Sequence, residues 1–221
     1  MGNQPSSPQK LPPIITVEGA RVALAPMSRA LLPRYQRWGN DFGITRTMSL
    51  AAPLTAAQLA ASYDEVIADQ HSASFTIYDR LTRQPIGNTA WIAIDQQART
   101  AEFVLYIGEA EYRGRGLGTE VTALMLRYAF GTLGLHNVML RVYAFNLAGQ
   151  RAYAKAGFRE FGRRREAKLL GGKHWDIVYM ECLATEYIAS ASAESDDVAT
   201  QRESVERNGV IRSAEESGGS G

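Results

Sequence analysis

A single cysteine, Cys182, is all that 221 residues contain, which excludes an internal disulfide framework and a cysteine-built zinc site and suits a reducing compartment. It lies in the strand-like run "WDIVYMECL", where a packed thiol is a more natural reading than a reactive one. Histidine is also scarce. His71, His136 and His174 are scattered and lack carboxylate neighbours in sequence, so no metal site is expected. No apolar run approaches the ~18 residues of a membrane span, and the first residues lack the charged, apolar and small-residue succession of a secretory signal. No membrane partner is expected, and a cytoplasmic location is the default. A formal net charge of +1 lacks the basic excess of a general nucleic-acid binder.

What is present is unevenly spread. Residues 1–13, "MGNQPSSPQKLPP", are rich in Pro, Ser and Gln and read as a flexible leader. Residues 189–221 hold no aromatic side chain and read as a disordered tail, because so little apolar surface cannot offset the entropy of ordering. That tail carries seven acidic and three basic residues, which leaves about +5 on the remainder and a slight preference for anionic partners. With 45% hydrophobic residues, residues 14–188 can build one core, and we read them as one domain.

Within that span helix and strand signals mix. "ITVEGARVALAPM" has strand composition broken by a glycine turn, and Arg29–Trp38 and Thr55–Ala68 read as helices, the second capped by Thr55. Three strands follow, "ASFTIYD", "PIGNTAWIAID" and "TAEFVLYIG", joined by turns of hairpin length. A long helix from about Gly118 to Leu133 carries Val121, Leu124, Met125 and Tyr128 on one stripe, with Gly134 placed to end it. The strand "NVMLRVYA", a helix from Leu147 to Ala156 closed by Gly157, and two strands across "LLGGKHW" complete the pattern.

The densest chemistry lies in "EYRGRGLGTE", residues 111–120, where a strand feeds a helix through Gly114, Gly116 and Gly118. Glycines there let successive backbone N–H groups converge, and the first helical turn adds open donors and the positive end of its dipole. Arg113 and Arg115 contribute multi-donor cations suited to phosphate oxygens. A nucleoside-triphosphate loop would need Gly-Lys-Ser/Thr, and Thr119 follows Gly118 without a lysine; a dinucleotide fingerprint would need Gly-x-Gly-x-x-Gly. Both are disfavoured, and a plain flexible turn leaves the arginines unexplained.

"RGRGLG" resembles the Arg/Gln-x-x-Gly-x-Gly pyrophosphate signature of the GNAT superfamily of N-acetyltransferases, with Arg113, Gly116 and Gly118 on its fixed positions. "NLAGQRAYAKAGF" resembles that superfamily's second signature, Asn146 followed by Tyr153 and then Gly157-Phe158. The likeness runs from about Ile14 to Tyr187 and is strongest to the branch of ribosomal-protein N-terminal acetyltransferases and spermidine acetyltransferases. It implies an α/β (α+β) fold: a mixed, largely antiparallel sheet of six to seven strands, splayed at its centre and flanked by about four helices. It implies acetyl-CoA as cosubstrate and a primary amine, on a small molecule or a protein N-terminus, as acceptor. Residues 113–119 (Arg113, Gly114, Arg115, Gly116, Leu117, Gly118 and Thr119) would cradle the pyrophosphate, and Leu105, Tyr106 and Ile107 would pair with the pantetheine arm.

The same likeness assigns Tyr153 as the general acid that protonates the leaving sulfur and Asn146 as a contact to the arm. The bland alternatives are that Asn146 only caps its helix and Tyr153 only packs. An alkylamine is almost wholly protonated at neutral pH, which costs roughly 4 kcal/mol before it can attack, so a base or a water chain is needed. Glu102, on the strand before the loop, is the candidate base; a structural salt bridge to an arginine is the equal alternative. Acceptor specificity is expected from Trp38–Leu50 and Lys168–Trp175, where Asp41, Asp64, Glu65 and Asp69 could suit a polyamine and an open groove a protein N-terminus. The Arg163–Arg165 run reads as solvated, strand edges make a homodimer an expectation, and a non-catalytic acyl-CoA-binding module is the competing function.

Overall fold

The computed structural model describes residues 12–48 and 53–187. The chain divides into two compact units, Met1–Cys182 and Leu183–Gly221. All but two residues of the expected leader, the whole of the expected tail, and Ser49 and Leu50 of the acceptor-side stretch lie outside the described residues. In the second unit the described residues 184–187 form a helical turn.

The first unit is built on one eight-stranded sheet in the order β1-β2-β3-β4-β5-β6-β8-β7. The strands are β1 Val17–Glu18, β2 Val22–Pro26, β3 Ala73–Asp79, β4 Pro85–Asp95, β5 Thr100–Ile107, β6 Asn137–Tyr143, β7 Arg159–Leu170 and β8 Lys173–Leu183. This corrects the expectation of six to seven strands. The two residues of β1 are separate only because the Gly19 N–H bonds the Val22 carbonyl (2.8 Å) and folds them back on β2, a pairing too short to leave a periodic signal.

Among the described residues the α-helices of this unit are α1 Leu32–Gly39, α2 Phe42–Thr45, α3 Ala56–Ala68, α4 Leu117–Arg127 and α5 Leu147–Ala156, where about four were expected. The extra one, α2, is a single turn held by its Asp41 cap, whose Oδ1 accepts from the Gly43 N–H at 2.7 Å. Thr55 caps α3 as its sequence predicts, in a reciprocal box with Gln58. α4 runs into a π turn over Tyr128–Thr132 before Gly134, at φ +65°, ends it. Turns between strands are closed by aspartates: Asp79 Oδ1 accepts from the Leu81 and Thr82 N–H groups, and Asp95 Oδ1 from those of Gln97 and Ala98.

Alternation along the central strands assigns two faces. Trp91 and Phe103, cross-strand partners with ring centroids 5.0 Å apart, point toward α4, where the Trp91 Nε1–H donates to the Met125 carbonyl. The predicted stripe is confirmed here: Val121, Leu124 and Met125 are buried, and Tyr128 stands edge-on to Phe75. The opposite face carries Tyr106, which meets Trp38 of α1 edge-on at 6.1 Å. Trp38 and Tyr35 are 1% and 3% exposed, and truncating such a ring costs on the order of 3–5 kcal/mol. The Tyr35 hydroxyl shares a hydrogen bond with buried Thr76 of β3.

The sheet is antiparallel except at its middle. β5 and β6 run parallel and pair only over Thr100↔Asn137, Ala101↔Val138 and Glu102↔Met139. Beyond Glu102 they part, while β5 stays paired with β4 as far as Gly87↔Ile107. β6 then runs opposite to β8, since Asn137 meets Glu181 at one end and the Ala144 N–H donates to the Asp176 carbonyl at the other. The expected splay is therefore present.

Gly108, directly after β5, lies under the Trp38 indole: a Cβ there would sit 2.3 Å from the ring. Gly108→Ala is expected to displace Trp38 and lower stability by about 1–3 kcal/mol, read as a fall in the denaturant midpoint; an unchanged midpoint would contradict this packing.

Candidate active site

Once β6 leaves it, β5 exposes one edge of its backbone. Burial falls along the same path, from Phe103 at 3% exposed to the half-buried 104–107. Leu105, Tyr106 and Ile107 therefore lie on the open edge, as expected for a strand that accepts an extended, amide-bearing ligand.

The glycine loop follows at once. Gly114 (φ +72°) and Gly116 (φ +78°) are both left-handed, a conformation that costs an L-residue roughly 1–2 kcal/mol. They alternate with Arg115, the backbone pattern that turns successive N–H groups into one concavity. Among the described residues, the N–H groups of 114–119 make no hydrogen bond; the first that does is Glu120, to the Gly116 carbonyl at 3.4 Å. Gly118 approaches the β5 edge: a Cβ there would touch only Leu105 Cδ2, at 3.7 Å. The anion cradle and the open edge are thus contiguous.

Two arginines hold this loop from behind. Arg21 donates to the Arg115 carbonyl (2.9 Å) and to Glu120 (2.9 Å), and its own N–H also reaches Glu120, at 2.7 Å. Burial pushes the Glu120 carboxyl up, but these donors outweigh it and hold it below its ordinary value. Arg113 donates to the Ile107 and Gly108 carbonyls (3.0 and 2.7 Å) and to Asp41 Oδ2 (2.7 Å), while its N–H bonds the Ala110 carbonyl. Its charge is spent as a clamp between the end of β5 and the cap of α2. Arg115 differs: its exposed guanidinium lies over the Tyr112 ring at 5.5 Å with no carboxylate partner among the described residues. Leu117 is buried in the first turn of α4, and Thr119 is half-buried beside it.

Tyr153, on α5, stands edge-on to Phe103 (6.1 Å) and leans on Phe158 (6.3 Å). Its hydroxyl bonds nothing among the described residues, and burial pushes the phenol up to about 12. Asn146 caps α5, its Oδ1 accepting from the Gly149 N–H at 3.0 Å; that bond leaves its Nδ2 hydrogens to other partners. Glu102 is the last residue of β5 still paired with β6, and it accepts from Arg141 Nε at 2.7 Å. It shares parity with Tyr106 and so faces away from Tyr153. The two candidate catalytic groups flank the split from opposite faces of the sheet.

Sequence reasoning missed Arg21, Arg141, Glu109 and Glu120. Glu109 accepts from Arg34, Arg37 and Trp38 Nε1 and fixes α1 over the end of β5. These partners lie 39 to 99 residues apart and leave no local signal. His71, His136 and His174 stay dispersed, and among the described residues no three metal-binding side chains gather. No described helix is long and apolar enough to cross a membrane.

An open strand edge leading into a turn of unbonded amides is built to take an extended ligand that ends in an anion. The profile of the acetyltransferase (GNAT) domain matches residues 21–159, and the chain belongs to that family, whose members transfer an acetyl group from acetyl-CoA to an amine. It is 26% identical over 168 residues to the spermidine N(1)-acetyltransferase of Escherichia coli K12, covering 76% of this chain and 89% of that one. It is 31% identical over 94 residues to a putative ribosomal N-acetyltransferase of Bacillus subtilis, covering 42% and 51%. The crystal structure of spermidine N-acetyltransferase from Vibrio cholerae in complex with CoA and spermine superposes with a TM-score of 0.70 at 26% identity, covering 76% of this chain and 98% of that one.

The Asp41–Arg113 pair makes a pH prediction. Arg113 holds the Asp41 carboxyl below its ordinary 3.8, so the pair stabilises the fold above that pH and is lost as pH falls through the lower native value. Both side chains are about one-third exposed, which limits the effect to less than about 1 kcal/mol. Asn keeps the α2 cap, so Asp41→Asn should be less stable than wild type at pH 7, with the gap closing toward pH 3. A gap that widens in acid would contradict the assignment.

Proposed function

We propose that the split between β5 and β6 is the place of acetyl transfer, with the cosubstrate held from the Tyr153 side and the amine presented from the Tyr106 side. The carrying observation is the pairing that ends at Glu102↔Met139 and opens an edge of β5 that the loop of unbonded amides 114–119 meets at Leu105. Those amides, with Arg115, are assigned to the pyrophosphate, and the β5 edge at Leu105, Tyr106 and Ile107 to the pantetheine arm, with Asn146 Nδ2 as a further donor to it. Arg113 shapes this site by fixing the loop.

Bound acetyl-CoA supplies an activated carbonyl carbon and a thiol leaving group. Holding amine and carbonyl together in the split removes much of the entropic barrier. Tyr153, kept protonated by its apolar surroundings, passes its proton to the sulfur as the N–C bond forms and the C–S bond breaks. Glu102 takes the proton the amine must lose, directly or through water, with Arg141 fixing its orientation. Acceptors of the kinds named for the relatives, a polyamine or a protein N-terminus, fall within this reading. It also includes a homodimer, with β7 as the outermost strand available to a second copy.

Thiol release from acetyl-CoA over a panel of amines tests the assignment. Tyr153→Phe should lower turnover at least tenfold with CoA affinity nearly unchanged, and Glu102→Gln should alter the pH–rate profile. Wild-type turnover in the first and a wild-type profile in the second would remove both residues from the chemistry.

A further inference from the structure

The acceptor side of the split differs in charge from what a polycation requires. Asp41, Asp64 and Glu102 lie on the helical or split side, and each is paired with an arginine: Arg113, Arg29 and Arg141 in turn. Glu109 is bound by two more, Arg34 and Arg37. Asp69 accepts from the His71 N–H, and of the acids weighed for this side Asp69 and Glu65 have no ion pair among the described residues. From Thr47 to Tyr63, the stretch that bridges α2 and α3, there is no charged residue at all. Met48, Leu59 and Tyr63 pack with Tyr106 on the Trp38 cluster, which places α3 on the acceptor face.

The other wall is cationic. At the end of β6, Tyr143 stacks on Phe145 (5.4 Å, 16°), and Phe145 meets Trp175 edge-on at 5.4 Å. The β7–β8 hairpin lays Lys168 over Tyr143 at 5.1 Å and Lys173 over Trp175 at 4.2 Å. In the register Lys168↔Trp175 and Leu170↔Lys173, alternation puts both lysines on one face of the hairpin. Neither ammonium has a carboxylate partner among the described residues. Tyr143 belongs to the same face of β6 as Arg141, the partner of Glu102, so this aromatic and basic wall borders the acceptor side of the split.

Resting on the site assigned above, we infer that the acceptor is an amine carried on an acidic chain, an N-terminal amine followed by Asp or Glu, with the carboxylates met by Lys168 and Lys173. A polyamine would face these lysines while Asp41, Asp64 and Glu102 are already paired with arginines, a like-charge arrangement that selects against it.

The test uses the whole chain with acetyl-CoA and compares Ser-started peptides continuing in Glu and Asp with ones continuing in Lys and Arg, alongside spermidine and free glutamate. The acidic peptide should exceed the basic one and spermidine at least tenfold in kcat/KM, and Lys168→Glu with Lys173→Glu should abolish or invert that order. Glutamate above the acidic peptide overturns the acidic chain as the acceptor. Turnover that is indifferent to charge, or highest with spermidine, overturns it and leaves the transferase reading standing. No release with any amine, together with no CoA binding, overturns both.

Discussion

The point where β5 and β6 stop pairing governs this molecule. A parallel pair that continued past Glu102↔Met139 would consume both strands' edges in hydrogen bonds, seal the sheet and leave Tyr153 and Glu102 on faces that never communicate. Because it ends there, five residues of β5 keep one neighbour and one open edge. Unsatisfied backbone groups at a sheet's centre are costly to leave dry, and they are tolerated here where an extended ligand can take the place of the missing strand. The rest of the sheet is antiparallel and conventional, and its work is to hold this gap rigid.

The loop at the gap's mouth shows how charge is divided. An arginine beside glycines invites assignment to phosphate, and Arg115 fits that role, stacked on Tyr112 and without a salt bridge among the described residues. Arg113 does something different. Bound to two carbonyls and to Asp41, it fastens the end of β5 to α2, so the glycine loop and α2 share one joint. Arg21 performs the matching task on the far side through Glu120. With carbonyls tied back by both, the amides have one direction left to face.

Much of this was legible in the sequence because it is local. The glycines state their own backbone demand; Asn146, Tyr153 and Gly157 lie within one short helix and its ends; the α4 stripe repeats at helical period. Three runs of strand composition joined by turns of hairpin length mark β3, β4 and β5, and Thr55 marks the start of α3. The unread part depends on pairings across long separations or on very short elements. Arg21 and Glu120 are 99 residues apart; β1 has two residues and α2 four; the π turn after Arg127 carries no sequence mark of its own. For Glu102 the sequence admits base and salt bridge alike, because its bond to Arg141 depends on β6 lying beside β5.

The central claim is that main-chain amides between Gly114 and Thr119 hold the diphosphate of coenzyme A beside the open edge of β5. Calorimetric titration of CoA into wild type and Gly118→Ala tests it most directly, since the added methyl meets only Leu105 at 3.7 Å within the protein and alanine is the better helix former. The account predicts unimpaired folding with CoA affinity reduced at least tenfold. Equal affinity in the two proteins, or no binding in either, would contradict it.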